Sequence, residues 1–389
     1  MRFADVATLL CLACVCGPTA AQAQDSRSSQ LRLRAELGAE YDDNVHRAEQ
    51  IRGAQPADIV SSPVSRALVG AAADGRLGDR QSVSTSVLFA GKIFTKHDAR
   101  MENVAVVESA GAYRATLGDH THLGIGVGYY EAIQAGTPAE RELFGQARDF
   151  RSFVPTLRLG RRLGATNAIE GNVGYRLFDY KPNRSFDFRA PVFGFDYRFQ
   201  RETSDGAADW DLTIGTSVEL RRFAGTRWIA TPVGCATATC VPGFDPAGTI
   251  HQDQFSSTHI EVVRTGQLLL GGGYSLNWNR SNSFSETVFR HVATVHVASA
   301  LPFDLYLATR AEFVYARYPD HVVLSTGPSG SAYTSIDDEN RSQFRAELSR
   351  GLPGNLMLIG RYVLYWNALG TSTVDYRRQT ITLSVALLR

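Results

Sequence analysis

The stretch LRLRAELGAEYDDNVHR, residues 31–47, alternates apolar and charged side chains along most of its length. In an extended chain, one side carries Leu31, Leu33, Ala35, Leu37, Ala39 and Tyr41, and the other carries Arg32, Arg34, Glu36 and Glu40. A period of two is that of a β-strand with one apolar and one polar face. Because the alternation returns almost to the last residue, the sequence predicts an all-β protein.

The alternation and the turn-forming residues divide the chain into about sixteen strands. They are predicted near 31–41, 58–74, 81–94, 102–115, 122–132, 152–163, 167–180, 186–199, 209–223, 254–264, 267–280, 287–299, 303–318, 342–350, 355–367 and 374–388. Many are longer than the about 9–11 residues that a tilted strand needs to cross a bilayer. This length favours membrane-spanning strands over those of a soluble sheet.

The connections between these strands alternate in length. Short ones such as GRLGDR (75–80) and LPG (352–354) are separated by long ones, which include 42–57, 133–151, 224–253 and 319–341. Short turns at one end and long loops at the other are typical of outer-membrane barrels, whose long loops face outwards. The sequence therefore predicts a transmembrane antiparallel up-and-down β-barrel of about 16 strands. An even strand number places both termini in the periplasm.

The N-terminal residues are predicted to direct export. Arg2 precedes an apolar run from Val6 to Cys16, and Ala21 and Ala23 are small residues at the positions that signal peptidase recognises. We therefore expect a signal peptide over residues 1–23, a short periplasmic segment over 24–30 and the outer-membrane barrel over 31–389.

Charge and cysteine content limit the partners and cofactors. The net charge of +1 argues against a general affinity for nucleic acid. After the signal peptide only Cys235 and Cys240 remain, and an even pair in an exported protein predicts a small disulfide loop. Two reduced thiols are the alternative. No nucleotide or phosphate motif is present, so we expect no cofactor.

Aromatic residues concentrate near the strand ends. Twelve lie at predicted long-loop ends: Tyr41, Phe94, Tyr129, Phe178, Phe186, Phe223, Phe255, Trp278, Phe289, Tyr315, Trp366 and Tyr376. Five lie towards the short-turn ends: Tyr113, Tyr197, Phe199, Trp210 and Phe303. Two levels of aromatic side chains predict the two interfacial girdles of a membrane barrel.

The polar face of each strand is predicted to face a watery lumen. The lumen-lining candidates are Arg32, Arg34, Glu36, Arg158, Arg176, Arg198, Arg221, Arg310, Arg345 and Arg361. One interpretation is a path for anionic or polyhydroxylated solutes, because guanidinium groups bind carboxylates and hydroxyls well. The other is a ladder of ion pairs that stiffens the wall.

We predict neither a catalytic nor a metal site. His291 lies on the lipid face, roughly opposite Leu276, but no outward serine stands beside it to be activated. His120 and His122 have a spacing that suits a metal, yet no cysteine or carboxylate cluster completes a site there. The run Asp42-Asp43-Asn44 is explained more simply by turn formation. The protein is therefore not expected to be an enzyme.

Two stretches carry a family resemblance. LGAEYDDNV (37–45) and GNVGYRLFDY (171–180) resemble strands of the β-barrel porin family found in exopolysaccharide secretion systems. The resemblance implies a role in polysaccharide secretion. The chain departs from outer-membrane barrels in general at its end, since it finishes SVALLR and not with Phe or Trp.

These observations predict an outer-membrane channel for export of exopolysaccharide or passage of oligosaccharide. A general small-solute porin is the alternative within transport. A surface adhesin or assembly factor acting through the loops at 224–253 and 319–341 is a third possibility. The expected partners are outer-membrane lipid and lipopolysaccharide, with polysaccharide and periplasmic export proteins if the first function holds. The sequence does not determine the oligomeric state.

Overall fold

The computed structural model describes most of the chain after the N-terminal segment. The described residues are 29–45, 50–51, 59–135, 149–181, 183–202, 209–231, 243–284, 286–317, 319, 342–366, 374–375 and 377–389. The predicted signal peptide lies outside these residues, as do Cys235 and Cys240.

Within the described ranges, sixteen antiparallel strands close into one barrel. They are β1 (Gln30–Asp42), β2 (Ser62–Gly78), β3 (Gln81–Phe94), β4 (Val104–Thr116), β5 (Thr121–Gln134), β6 (Phe150–Arg162), β7 (Asn167–Tyr180), β8 (Phe188–Glu202), β9 (Asp209–Thr231), β10 (Gly243–Thr265), β11 (Leu268–Ser281), β12 (Val288–Leu301), β13 (Leu305–Arg317), β14 (Ser342–Leu352), β15 (Leu356–Trp366) and β16 (Arg377–Leu388). Each strand pairs with its neighbours in sequence, and β16 pairs with β1. The predicted fold class and strand number are confirmed.

The outer face of the barrel is apolar and exposed. Leu31 and Leu37 of β1 are 63% and 69% exposed, and Ile125, Leu157 and Val173 of other strands are also exposed. Side chains of this size would cost free energy in water, so the face is suited to lipid. Closure leaves no unpaired strand edge in the hydrocarbon. The barrel is therefore of the outer-membrane type.

The first and last strands meet in a tight seam, the junction of β1 with β16. Leu37 faces Val385, and Glu40 faces Thr382 across it. A Cβ at Gly38 would lie 2.6 Å from the Cβ of Ser384, so only glycine fits this close approach. The glycine within LRLRAELGAEY thus allows the strand that begins the barrel also to close it.

The first barrel strand begins, and the last one ends, at the end of the barrel with the short turns. Gln30 pairs with Asp74 near the end of β2, and Arg34 pairs with Leu388 of β16. The backbone groups of Leu33 and Arg389 exchange hydrogen bonds. Placement of this end in the periplasm stays a prediction.

The hairpin of β9 and β10 extends beyond its neighbours. Pairing of β9 with β8 ends at Phe223, and pairing of β10 with β11 begins at Asp253, while β9 and β10 pair with each other as far as Thr231 and Gly243. The prediction of a loop over 224–253 is therefore wrong for most of that range. Glycine and proline in this segment resembled a loop, but a hairpin satisfies its own backbone without a second partner.

A small apolar cluster lies inside the barrel at the end with the long connections. Val45, Val64, Phe94 and Ala99 are all buried there, and Ala99 belongs to a 3-10 helix over His97–Glu102. A second 3-10 helix spans Arg184–Phe186. Among the described residues, no helix is long and apolar enough to span a membrane.

Candidate functional site: the inner wall

All ten predicted lumen residues lie on the strand face opposite the exposed apolar side chains. The structure divides them by burial into two groups. Arg32, Arg158, Arg198 and Arg310 each have side chains that are 57% exposed. The others, Arg34, Glu36, Arg176, Arg221, Arg345 and Arg361, are joined to carboxylates in buried or half-buried clusters. Their lumen-lining role stays a prediction.

The largest cluster, here called the seam network, consists of Glu36, Glu347, Arg34, Arg345 and Arg361. Arg361 of β15 donates to both oxygens of Glu36, and its Nε donates to Glu347 at 2.7 Å. Arg34 and Arg345 donate to the same two carboxylates. Arg361 and Glu36 are only 8% and 5% exposed. The seam network therefore links β14 and β15 to β1 across β16.

Two further carboxylates, each with its own donors, hold the same junction nearer the long connections. Glu40 accepts hydrogen bonds from Arg66 at 2.6 Å, Lys92 at 2.5 Å and Thr382 at 3.0 Å. Asp42 accepts two hydrogen bonds from Arg378 of β16. Arg66 and Asp42 were not among the residues predicted to face the lumen, although they share the parity of inward neighbours. This part of the wall is suited to holding the barrel closed.

The inner wall next to the seam is open over β1–β6. A cavity of about 450 Å³ lies against β1–β6, between the guanidinium-bearing Arg32 and Arg158. The side chains along it are small, and they include Ala72, Ser84, Ala110, Ala112 and Thr156. Ala110 and Ala112 are exposed although they lie on the inward face. Small residues leave space here that larger side chains would fill.

A row of rings crosses the inner wall near the long connections. This aromatic row consists of Tyr130, Phe150, Phe178, Phe188, Phe223 and His251, one from each strand of β5–β10. Successive ring centroids are 3.9 to 5.4 Å apart. The closest pair, Phe223 and His251, is stacked with an angle of 5° between the ring planes.

The aromatic row corrects part of the predicted outer girdle. Phe178 and Phe223 were predicted at the membrane interface, but they face inwards together with Arg176 and Arg221, two residues before them. Phe94 and Phe255 also face inwards, since Phe94 is buried and Arg221 lies over the Phe255 ring. Side chains two residues apart share one face of a strand, so the parity of the neighbouring arginines decides their direction.

Other girdle residues do face outwards. Tyr41, Trp278 and Tyr315 are exposed on the apolar face. His291 lies opposite Leu276, as predicted, and its ring stacks on Tyr315 with the Tyr274 hydroxyl 2.6 Å from Nδ1. Phe186 belongs to the second 3-10 helix, and Tyr376 lies outside the described residues.

Two arginines are fixed beside the aromatic row by one buried carboxylate. Glu219 of β9 accepts from Arg176 at 3.2 Å and from Arg221 at 2.9 Å. The Arg221 guanidinium lies 5.1 Å from the Phe188 ring centroid and 4.6 Å from that of Phe255. Two cations share one anion here, so the cluster carries net positive charge next to an apolar strip.

The acidic run at the end of β1 serves the backbone, as predicted. The backbone N–H of Asn44 donates to Asp42 Oδ1 at 3.2 Å, and the backbone N–H of Gln379 donates to Asp43 Oδ1 at 2.6 Å. These are turn and closing contacts, not the open oxygen cage that a cation needs.

Comparison with known proteins gives only remote similarities to solved structures. No protein-family model and no curated protein matches the chain. Among solved structures, it is similar to a loop-deletion mutant of OmpT, an outer membrane protein of Vibrio cholerae, at 10% identity and a TM-score of 0.45, over 94% of this chain and 100% of that one. OccAB4 of Acinetobacter baumannii matches at 7% identity and a TM-score of 0.45, over 93% and 99%. OccK1 of Pseudomonas aeruginosa matches at 10% identity and a TM-score of 0.39, over 92% and 99%. Such low similarity transfers neither a substrate nor a role.

Proposed function

We propose that this protein is an outer-membrane channel that passes oligosaccharide or a growing exopolysaccharide chain along its inner wall. The observation that carries the proposal is the aromatic row with Arg176 and Arg221 beside it. A sugar ring has an apolar C–H surface and an edge of hydroxyl groups, and acidic sugars add a carboxylate. An apolar strip beside guanidinium groups complements all three features.

The arrangement favours weak and repeated contacts over one tight site. The row spans six neighbouring strands, and Tyr130, Phe150, Phe178 and Phe223 are partly exposed, whereas Phe188 and His251 are buried. A polymer can exchange one ring for the next without losing all of its contacts. This property suits passage, because tight binding at a single position would slow release.

A general small-solute porin remains the second candidate, and the open cavity beside Ala110 and Ala112 favours it. That wall has neither a ring nor a large apolar side chain to select a sugar. The adhesin hypothesis has no comparable support in the described residues, and most of 319–341 lies outside them.

Removal of rings from the aromatic row is expected to weaken sugar binding in the channel about 5–150-fold. Each aromatic contact contributes about 0.5–1.5 kcal/mol, so the double variant Phe178→Ala, Phe223→Ala, which removes two partly exposed rings, costs about 1–3 kcal/mol. The measurement is the interruption of single-channel current in a planar bilayer by maltohexaose and by an oligogalacturonate. The acidic sugar should block the wild-type channel at the lower concentration.

The matched control is Phe193→Ala on the same strand as Phe188. Phe193 faces lipid and is exposed, so its loss should leave the sugar block unchanged. Normal conductance without block by either sugar would favour the small-solute porin. Equal block in the double variant and the control would remove the aromatic row from the account.

A further inference from the structure

A buried cluster of metal-binding groups lies at the end of the aromatic row. His251 and Asp253 are inward residues of β10, and Glu286 belongs to the short connection between β11 and β12. One ligand atom from each lies within 4.8 Å of the other two. The side chains of His251 and Asp253 are almost completely buried, and that of Glu286 is largely so.

Hydrogen bonding alone does not account for the cluster. The His251 Nε2 lies 2.7 Å from Asp253 Oδ1, 3.3 Å from Glu286 Oε2 and 3.1 Å from Ser281 Oγ. A ring nitrogen carries either one proton or one lone pair, so it makes one good hydrogen bond. Two carboxylates and a hydroxyl nevertheless converge on this single atom. A divalent cation between them would use the nitrogen lone pair and neutralise both carboxylates together.

A neighbouring amide gives an independent indication of a ligand. Asn279 is 7% exposed, and its Nδ2 donates to Asp253 Oδ2 at 2.9 Å. Its Oδ1 is buried and accepts no hydrogen bond from the described residues. A buried polar atom without a partner is costly. The amide is nevertheless held here with Nδ2 on Asp253 and on the Glu286 carbonyl, as an outer group is held around a metal ligand.

The geometry is close to that of an assembled site. Metal–nitrogen and metal–oxygen distances of about 2.0–2.2 Å place neighbouring ligands of a tetrahedral ion about 3.4 Å apart. The His251 Nε2 atom lies 2.7 Å from Asp253 Oδ1 and 3.3 Å from Glu286 Oε2, at or below this spacing. Stacking on Phe223 fixes the imidazole plane, and the Asn279 amide orients one carboxylate, as outer groups do around metal ligands.

We propose that His251, Asp253 and Glu286 bind one divalent transition-metal ion on the inner wall, at the end of the barrel with the long connections. One imidazole with two carboxylates suits Zn²⁺ or Mn²⁺ better than Mg²⁺, which prefers oxygen ligands and water. Sequence analysis predicted no metal site because His251 and Asp253 were assigned to a loop. Pairing of β10 with β11 brings them next to Asn279 and Ser281.

The site joins the projecting hairpin to the rim of the barrel. The connection that carries Glu286 also contacts Trp228. The Phe284 backbone N–H donates to the Trp228 carbonyl, and the Trp228 backbone N–H donates to the Ser283 hydroxyl at 3.0 Å. Trp228 lies in the part of β9 beyond its pairing with β8. A bound ion would therefore hold β10 and this connection together where the hairpin leaves the barrel.

The test is calorimetric titration of the untagged full-length barrel in detergent with ZnCl₂, and separately with MnCl₂ and MgCl₂, after chelator treatment. We expect one saturable site for Zn²⁺ or Mn²⁺ and weaker binding of Mg²⁺. Asn279→Ala should weaken binding about 10–100-fold, as loss of an outer-shell group does. Loss of a ligand in His251→Ala or Glu286→Gln should weaken it at least as much.

The matched control is His259→Ala, another inward histidine of β10, which has a single carboxylate, Asp196, 3.7 Å away. Its binding should equal that of the wild type. Folding of each variant is checked by heat-dependent gel mobility, and Glu286→Gln provides the test if a β10 variant fails to fold. Absence of saturable Zn²⁺ or Mn²⁺ binding to the wild type would overturn the proposal. Equal affinity of the Glu286→Gln and His259→Ala proteins would also overturn it.

Discussion

Replacement of Arg361 with alanine is expected to lower the free energy of unfolding of the barrel by about 3 kcal/mol. The substitution leaves Glu36 and Glu347 buried without their shared cation. Breaking a buried ion pair typically costs about 3–5 kcal/mol, and the lower end applies because Arg34 and Arg345 still contact the two carboxylates. The measurement is denaturant unfolding in lipid vesicles, followed by tryptophan fluorescence.

The control for this effect is Arg310→Ala. Arg310 also faces inwards and contacts Glu312 at 3.1 Å, but its side chain is 57% exposed. An exposed pair contributes about 0–1 kcal/mol, so this variant should be close to the wild type. If the two variants lost equal stability, the seam network would not be what holds the barrel closed.

Neutralising the three least exposed members of the seam network separates charge from packing, because Arg34 and Arg345, with side chains 27% and 24% exposed, still reach water. The triple variant Arg361→Met, Glu36→Gln, Glu347→Gln removes the cation and both of its carboxylate partners. Replacement of a complete buried ion group by neutral residues is often neutral or stabilising. We therefore expect the triple variant to recover much of the stability lost in Arg361→Ala.

The second large effect is expected for Val173→Arg on the lipid face. Val173 lies in the middle of β7 and is 46% exposed, beside Leu157 and Phe193, which are also exposed. An arginine at the bilayer midplane of a barrel costs about 2–4 kcal/mol. The same unfolding measurement should show this loss.

Ala112→Arg provides the comparison from inside the barrel. Ala112 is exposed on the inner face and lines the open cavity, so its new side chain would enter water. Its stability should change by less than about 1 kcal/mol. A larger loss for Ala112→Arg than for Val173→Arg would mean that the inner and outer faces have been interchanged.

The strands were predictable because their information is local. Alternation between Leu31 and Tyr41 gives both a strand and its lipid face, and the same pattern recurs in every barrel strand. The closing contacts are not local. Glu36 meets Arg361 from 325 positions away, and this encounter depends on the number of strands and the register of all of them.

The aromatic row shows a different limit. Phe178 and Phe223 were assigned to the outer girdle from their position along the strand. This position gave the correct end of the barrel, but the side chains face the lumen and not the lipid. The parity of Arg176 and Arg221 carried the missing information, since all four residues lie on inward positions. The metal-binding cluster was hidden for a third reason: His251 lies where β10 continues beyond its pairing with β11, in a segment with the composition of a loop, and Glu286 lies in the connection between β11 and β12.

The central claim is that the charged face of the strands lines a continuous watery path. The most direct test compares the ion selectivity of the Arg158→Gln channel with that of the Arg161→Gln channel. Both arginines lie on β6, but Arg158 lines the cavity and is 4.0 Å from Glu170, whereas Arg161 is exposed on the opposite face. The measurement is the reversal potential of single channels under a KCl gradient. Arg158→Gln should shift selectivity towards cations, because it removes a positive charge from the path and leaves Glu170 less compensated. Arg161→Gln should match the wild type. A folded wild-type barrel without conductance, or equal shifts for the two variants, would contradict the account.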